Sequence, residues 1–111
     1  MQVNVGDLNR RVQIVRLTHS TDADGYKTAV EAVIREPWAQ FSRVSPTERQ
    51  ERGADMEDVS ARFLVRWSRT GISRKDLVRY DGQDYEIQSV NDYGDGHEYV
   101  ELLCRLVSLE G

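Results

Sequence analysis

Apolar and polar positions alternate with period two along most of this chain, which is the signature of half-buried β-strands. The clearest case is Val59 to Trp67. There Val59, Ala61, Phe63, Val65 and Trp67 share one face, and Ser60, Arg62, Leu64 and Arg66 share the other. Arg11 to Leu17 reads as a strand with Val12 and Ile14 on one side and Gln13 and Val15 on the other. Thr18 to Lys27 reads as a turn-rich polar loop. Ala29 to Ile34 continues as a second strand, so the two predict a hairpin with a long tip. Trp38 to Val44 forms a third strand, with Trp38 read as a core anchor. Leu77 to Tyr80 and Tyr85 to Val90 flank Asp81-Gly82, a strong hairpin signal. A closing strand runs from His97 to Leu109, with Val100, Leu102, Cys104 and Leu106 on one face. Ahead of all these, Gly6 to Asn9 predicts a turn that docks Leu8 on the core. Six or seven strands with frequent turns and no long helix predict an all-β, mainly antiparallel fold. Its expected form is a small β-barrel in one domain spanning residues 1–111.

One stretch breaks the alternation. Between the strands ending near Val44 and starting near Val59 lies SPTERQERGADMED, with no apolar face to bury. Its start has helix-capping logic: Ser45 as the cap, Pro46 at the first helical position and Glu48 reaching back to the cap's backbone N–H. Gly53 is a plausible stop. A short helix, polar all round, is therefore expected from Pro46 to Arg52, followed by an acidic loop.

Charge and composition narrow the classes. Lys and Arg total 15 against 19 Asp and Glu, a net charge of -4. That balance argues against a free-standing nucleic-acid binder, which usually carries a basic excess. One cysteine, Cys104, allows no internal disulfide and fits a reducing compartment. The apolar runs fall far short of a membrane span, and Met1 to Asn4 lacks the start of a signal peptide. A protein made or assembled in the cytosol is expected.

Candidate chemistry is sparse. Ser20 to Glu31 places Asp22, Asp24, Gly25 and Glu31 at calcium-loop positions, but Ser20 and Lys27 break the motif and the flanks read as strand. Turn chemistry at a hairpin tip explains the same residues. His19 and His97 have no partners at zinc-ligand spacing. Cys104 sits on an apolar face and reads as a small buried hydrophobe. No nucleophile elbow, phosphate loop or acid–base cluster is present, so no catalytic, cofactor or metal site is expected. Arg62, Arg66, Arg69, Arg74, Lys75 and Arg79 form the one basic stretch. It is either an ordinary solvated face or one turned to a subunit or a phosphate. Tyr80, Tyr85, Tyr93 and Tyr99 are open to two readings, as stacking platforms for single strands or as hairpin packing.

Several stretches, taken in order, resemble a known family. They are Gly6-Asp7-Leu8 leading to Arg11-Val12, the Asp-rich hairpin, Trp38-Ala39 before the polar insert, and Gly71-Ile72-Ser73. Tyr80-Asp81-Gly82-Gln83-Asp84-Tyr85-Glu86-Ile87 and the closing Glu101-Leu102-Leu103-Cys104 complete the series. Over roughly Val5 to Leu106 the chain resembles the phage head–tail joining family, the small head-closure or stopper proteins of tailed bacteriophages. The resemblance implies a β-barrel subunit of a homo-oligomeric ring in the virion neck, assembled in the bacterial host cytoplasm. Such a ring would sit below the portal and adaptor, retain the packaged double-stranded DNA and dock tail proteins. No membrane, cofactor or enzymatic activity is implied. A neighbouring neck position, adaptor or tail terminator, is the alternative, and an oligonucleotide-binding barrel is a further one. The family's lumen loop corresponds here to Ser45, Pro46, Thr47, Glu48, Arg49, Gln50, Glu51, Arg52, Gly53, Ala54, Asp55, Met56, Glu57 and Asp58. The acids outnumber Arg49 and Arg52 to give a net charge of about -3, more acidic than the family leads one to expect. An acidic lumen would repel phosphate and let DNA pass without sticking.

Overall fold

The computed structural model describes residues 5–45, 59–93 and 96–107. A short 3-10 helix, Val5–Asp7, leads into strands β1 (Arg10–Arg11), β2 (Gln13–Thr21), β3 (Lys27–Arg35) and β4 (Trp38–Arg43). These are followed by β5 (Ala61–Arg66), β6 (Asp76–Tyr80), β7 (Gln83–Tyr93) and β8 (Tyr99–Leu106). All pair antiparallel in one sheet of order β1-β4-β5-β8-β7-β6-β2-β3.

The strand order explains the shape. β1 lies at one end of the sheet and β2 is seventh of the eight, yet only Val12 separates them in sequence. One residue cannot cross a flat sheet whose strands lie about 4.8 Å apart. The sheet therefore curls back on itself into a half-barrel, with Val12 as the stitch. Val12 is 1% exposed, and its N–H donates to the Pro37 carbonyl at 3.1 Å. The expected first strand is thus two strands, which brings the count to eight.

The concave side holds the core. Ile14, Ala39, Phe63, Val65, Val78, Leu102 and Cys104 are almost fully buried. Phe41 and Phe63 stack at 5.1 Å, and Tyr80 and Tyr85 meet them edge-on. Aromatic pairs in this geometry add about 0.5–1.5 kcal/mol beyond area burial. Burial pushes the Cys104 thiol well above its ordinary range, so it stays protonated and inert. Asp81 and Gly82 both have positive φ, 53° and 76°, the left-handed pair that a two-residue hairpin between β6 and β7 requires.

Four expectations change. Trp38 and Trp67 are not core anchors: they are 52% and 38% exposed. Trp38 opens β4 at the rim. Trp67 falls one residue past the end of β5, where the alternation carries it off the sheet. Leu64, on the face opposite Phe63, is only 1% exposed, so the middle of β5 is covered on both faces. The polar stretch after Leu17 is not a long loop. β2 runs to Thr21 and β3 begins at Lys27, leaving only residues 22–26 as the turn. Thr and Ser pair readily in strands, and Asp22 organises the tip. Finally, the closing strand is shorter than expected, spanning Tyr99–Leu106. The predicted helix at Pro46 to Arg52 lies outside the described residues.

Candidate functional site

Of the predicted insert, only Ser45 is among the described residues, and it is exposed. Pro46 to Asp58 lie outside them. What is visible is how the insert is anchored. β4 and β5 pair in register from Ala39↔Val65 to Arg43↔Ala61. One step further the Val44 N–H donates to the Ser60 carbonyl at 3.1 Å, and the Ser60 N–H to the Cys104 carbonyl at 2.9 Å. Val44 and Val59 pack with Leu103 in a small buried cluster. The acidic segment therefore leaves and re-enters the sheet at a single clamped point.

The basic candidates divide. Arg62 is part-buried and ion-pairs with the 4%-exposed Glu101, which Asn91 also approaches. The pair is diagonal in the β5–β8 register: Leu103 stands opposite Arg62 and Leu64 opposite Glu101. Arg66, Arg69, Arg74 and Lys75 are exposed. Arg69, Arg74 and Lys75 lie on the Ser68–Lys75 connection. That connection is held from behind by the buried Asp76, which accepts a bidentate pair from Arg16 and the Ser73 N–H at 2.9 Å. Arg16 also donates to the Gly71 carbonyl at 3.0 Å. The carboxylate thus fixes the start of β6 and leaves the basic side chains pointing outward.

Arg66 belongs to a feature the sequence did not reveal. A groove of about 310 Å³, largely apolar, is lined by Leu8, Arg35, Pro37, Trp38 and Arg66. Arg11 lies over the Trp38 ring, 5.1 Å from its centroid, a cation–π contact that holds the indole upright at the groove edge. Arg35 donates to the Arg66 carbonyl at 2.8 Å. No carboxylate pairs with it among the described residues, and burial lowers its pKa from the ordinary arginine value. On the far side of Arg66, Trp67 stacks on His97 at 4.7 Å beside a second depression that includes Tyr99. Two tryptophans thus flank two guanidinium groups along one rim. The one sequence signal was Pro37-Trp38. Proline ends β3's run and forces the next residue to open a strand at the edge, where an indole meets solvent. Arg35 and Arg66, 31 positions apart, meet because β4 starts just after Arg35 and pairs antiparallel with β5, whose last residue is Arg66.

Of the tyrosines, Tyr80 and Tyr85 are packed against Phe41 and Phe63. Tyr99 is half-buried, and the Tyr93 side chain lies outside the described residues. At the hairpin tip, Asp22 Oδ1 accepts the N–H groups of Asp24 and Tyr26, each at 2.9 Å, and Gly25 adopts φ 87°. That is the turn chemistry expected of these residues.

The described residues thus form a curled antiparallel half-barrel with an aromatic and cationic rim. Residues 3–107 match the family model described as phage head completion protein, and the chain belongs to that family. It is accordingly a structural protein associated with the phage head, a component of the virion. Among solved structures it is similar to protein SF1141 from Shigella flexneri 2a, with a TM-score of 0.81 and 21% identity. That match covers 97% of this chain and 100% of the other. It is also similar to a chain of the virion of a native gene transfer agent particle, with a TM-score of 0.57 and 16% identity over 89% and 94% of the two chains. No curated protein matches it.

Proposed function

We propose that this protein is a head-closure connector. Copies form a ring below the portal and its adaptor, retain packaged DNA and offer a face to the tail, without enzymatic activity. The observation that carries the reading is the clamp at Val44 and Ser60. It fixes both ends of an acidic, fourteen-residue segment, Ser45 to Asp58, at one point between β4 and β5. A segment with no apolar face belongs in water, against a neighbour or in a channel. Repeated around a ring, it would present concentrated negative charge to the DNA. Membership of the head completion family supports a position at the head.

A single-strand-binding barrel is disfavoured, because the net charge of -4 opposes phosphate and two of the tyrosines it would stack bases on, Tyr80 and Tyr85, serve the core instead. The test is deletion of Gln50 to Glu57, joined by a short glycine linker. The purified variant should keep its β-sheet circular dichroism and cooperative melting, while particles built with it lose DNA. Particles that retain full genome content would overturn the lumen role.

A further inference from the structure

Among the described residues, the hairpin of β2 and β3 extends past the sheet with one exposed tie to it, the Glu31–Arg79 ion pair. β2 pairs with β6 only from Gln13 to Arg16. From Leu17 to Thr21 and from Lys27 to Ala32 every residue is exposed on both faces. Isolated two-stranded ribbons are marginal in water and normally gain their order from a surface they rest on. This one is nevertheless organised at its tip by Asp22, and it presents Tyr26, 71% exposed, between carboxylates and solvent. The tip, residues 22–26, carries Asp22 and Asp24 and no cation.

The groove has the complementary chemistry. Trp38 and Leu8 give an apolar floor, and Arg35 and Arg66, neither with a carboxylate partner among the described residues, give two cations. We propose that the groove receives the Asp22–Tyr26 hairpin tip of a second copy of this chain. Tyr26 packs against Trp38, and Asp24 pairs with Arg66. The same chain cannot satisfy its own groove. Arg35 ends the strand that Lys27 begins, so tip and groove lie about 26 Å apart along eight residues of straight strand. A tip at one end and a socket at the other make a heterologous, head-to-tail contact, which closes into a ring when its rotation allows. The inference deepens the ring reading above by naming the contact that builds it. A rigid, pre-ordered tip also lowers the entropic cost of docking.

Site-directed crosslinking tests it. Cys104 is buried and will not compete. A copy carrying Ala23→Cys at the tip is mixed with a copy carrying Glu36→Cys beside the groove, at high concentration with a short bismaleimide. A mixed dimer should form. Its yield should fall about tenfold or more when Trp38→Ala is added to the groove copy, as for loss of an interface anchor. Because Trp38 is half exposed, that variant should keep the wild-type melting curve. Arg66→Asp in the groove copy should likewise abolish the product, and Asp24→Arg in the tip copy should restore it. The proposal is overturned if the Ala23→Cys copy links no better to Glu36→Cys than to a copy with Gln88→Cys, or if the charge swap fails to restore the product. The head-closure reading is decided separately, by whether the protein is present at the neck of particles. Loss of the crosslink with the protein still in the neck removes only the tip-and-groove contact.

Discussion

The body and the arm of this protein are built from similar residues and behave as opposites. Around Phe63, β-branched and aromatic side chains face a closed interior, and nearly every one is buried. In the arm, Val30 and Val33 are each 46% exposed and Leu17 is 40% exposed, although all three sit in well-formed strands. The difference lies in what is opposite them. The body's strands curl so that their inner faces meet, while the arm leaves the sheet at Arg16 and, apart from the exposed Glu31–Arg79 ion pair, rests on nothing among the described residues. Strand propensity is therefore not a measure of stability here. Burial is, and what orders the arm within the chain is its tip turn and its cross-strand ladder.

That contrast can be broken at graded points. Phe63→Ala should cost about 3–5 kcal/mol, read as a fall in the urea midpoint, because it removes the ring that Phe41, Tyr80 and Tyr85 pack upon. The same variant should expose Cys104 to a thiol reagent at pH 8, whereas the wild-type thiol, buried and held protonated, should label only as fast as the chain unfolds. Asp76→Ala should cost about 1–3 kcal/mol, since the Ser73 N–H loses its acceptor while the part-exposed Arg16 can turn to water. Arg79→Ala should cost about 1 kcal/mol or less, as Arg79 ties the arm's Glu31 to Asp84 of the body at a part-exposed site. Its clearer readout is faster hydrogen exchange confined to the arm, in the amides of residues 17–21 and 27–31 that pair with each other. Val30→Thr should change stability by no more than about 0.5 kcal/mol, as for exposed positions generally. If Val30→Thr destabilised the monomer as Asp76→Ala does, the arm would be part of the body and the contrast would be wrong.

Much of the body was legible in the sequence because period-two alternation reports burial directly. Ala61 to Val65, the Asp81-Gly82 turn and the core face of Val100, Leu102 and Cys104 all stand where the pattern put them, whereas Val59 leaves the Phe63 face and packs with Val44 and Leu103 in a separate cluster. The errors have one cause. Alternation says which face a residue occupies but not where the sheet ends, so Trp38 and Trp67 were placed inside when they stand at the rim. Likewise, a polar run without apolar spacing gave no sign that Thr18 to Thr21 would pair with Lys27 to Val30. The rim groove was illegible for a further reason. It joins Leu8, Arg35, Trp38 and Arg66 across four elements, and only the strand order brings them together. The pairs Arg16–Asp76, Arg62–Glu101 and Arg105–Glu86 depend in the same way on register. The family resemblance supplied what pattern could not, the association with the phage head.

The most direct test is an electron cryomicroscopy reconstruction of the neck of particles carrying this protein. The account predicts repeated copies of the half-barrel encircling the DNA exit, each with its β2–β3 arm laid across the Trp38 rim of the next. Particles whose necks contain no such ring, or a ring whose arms point away from neighbouring copies, would contradict it.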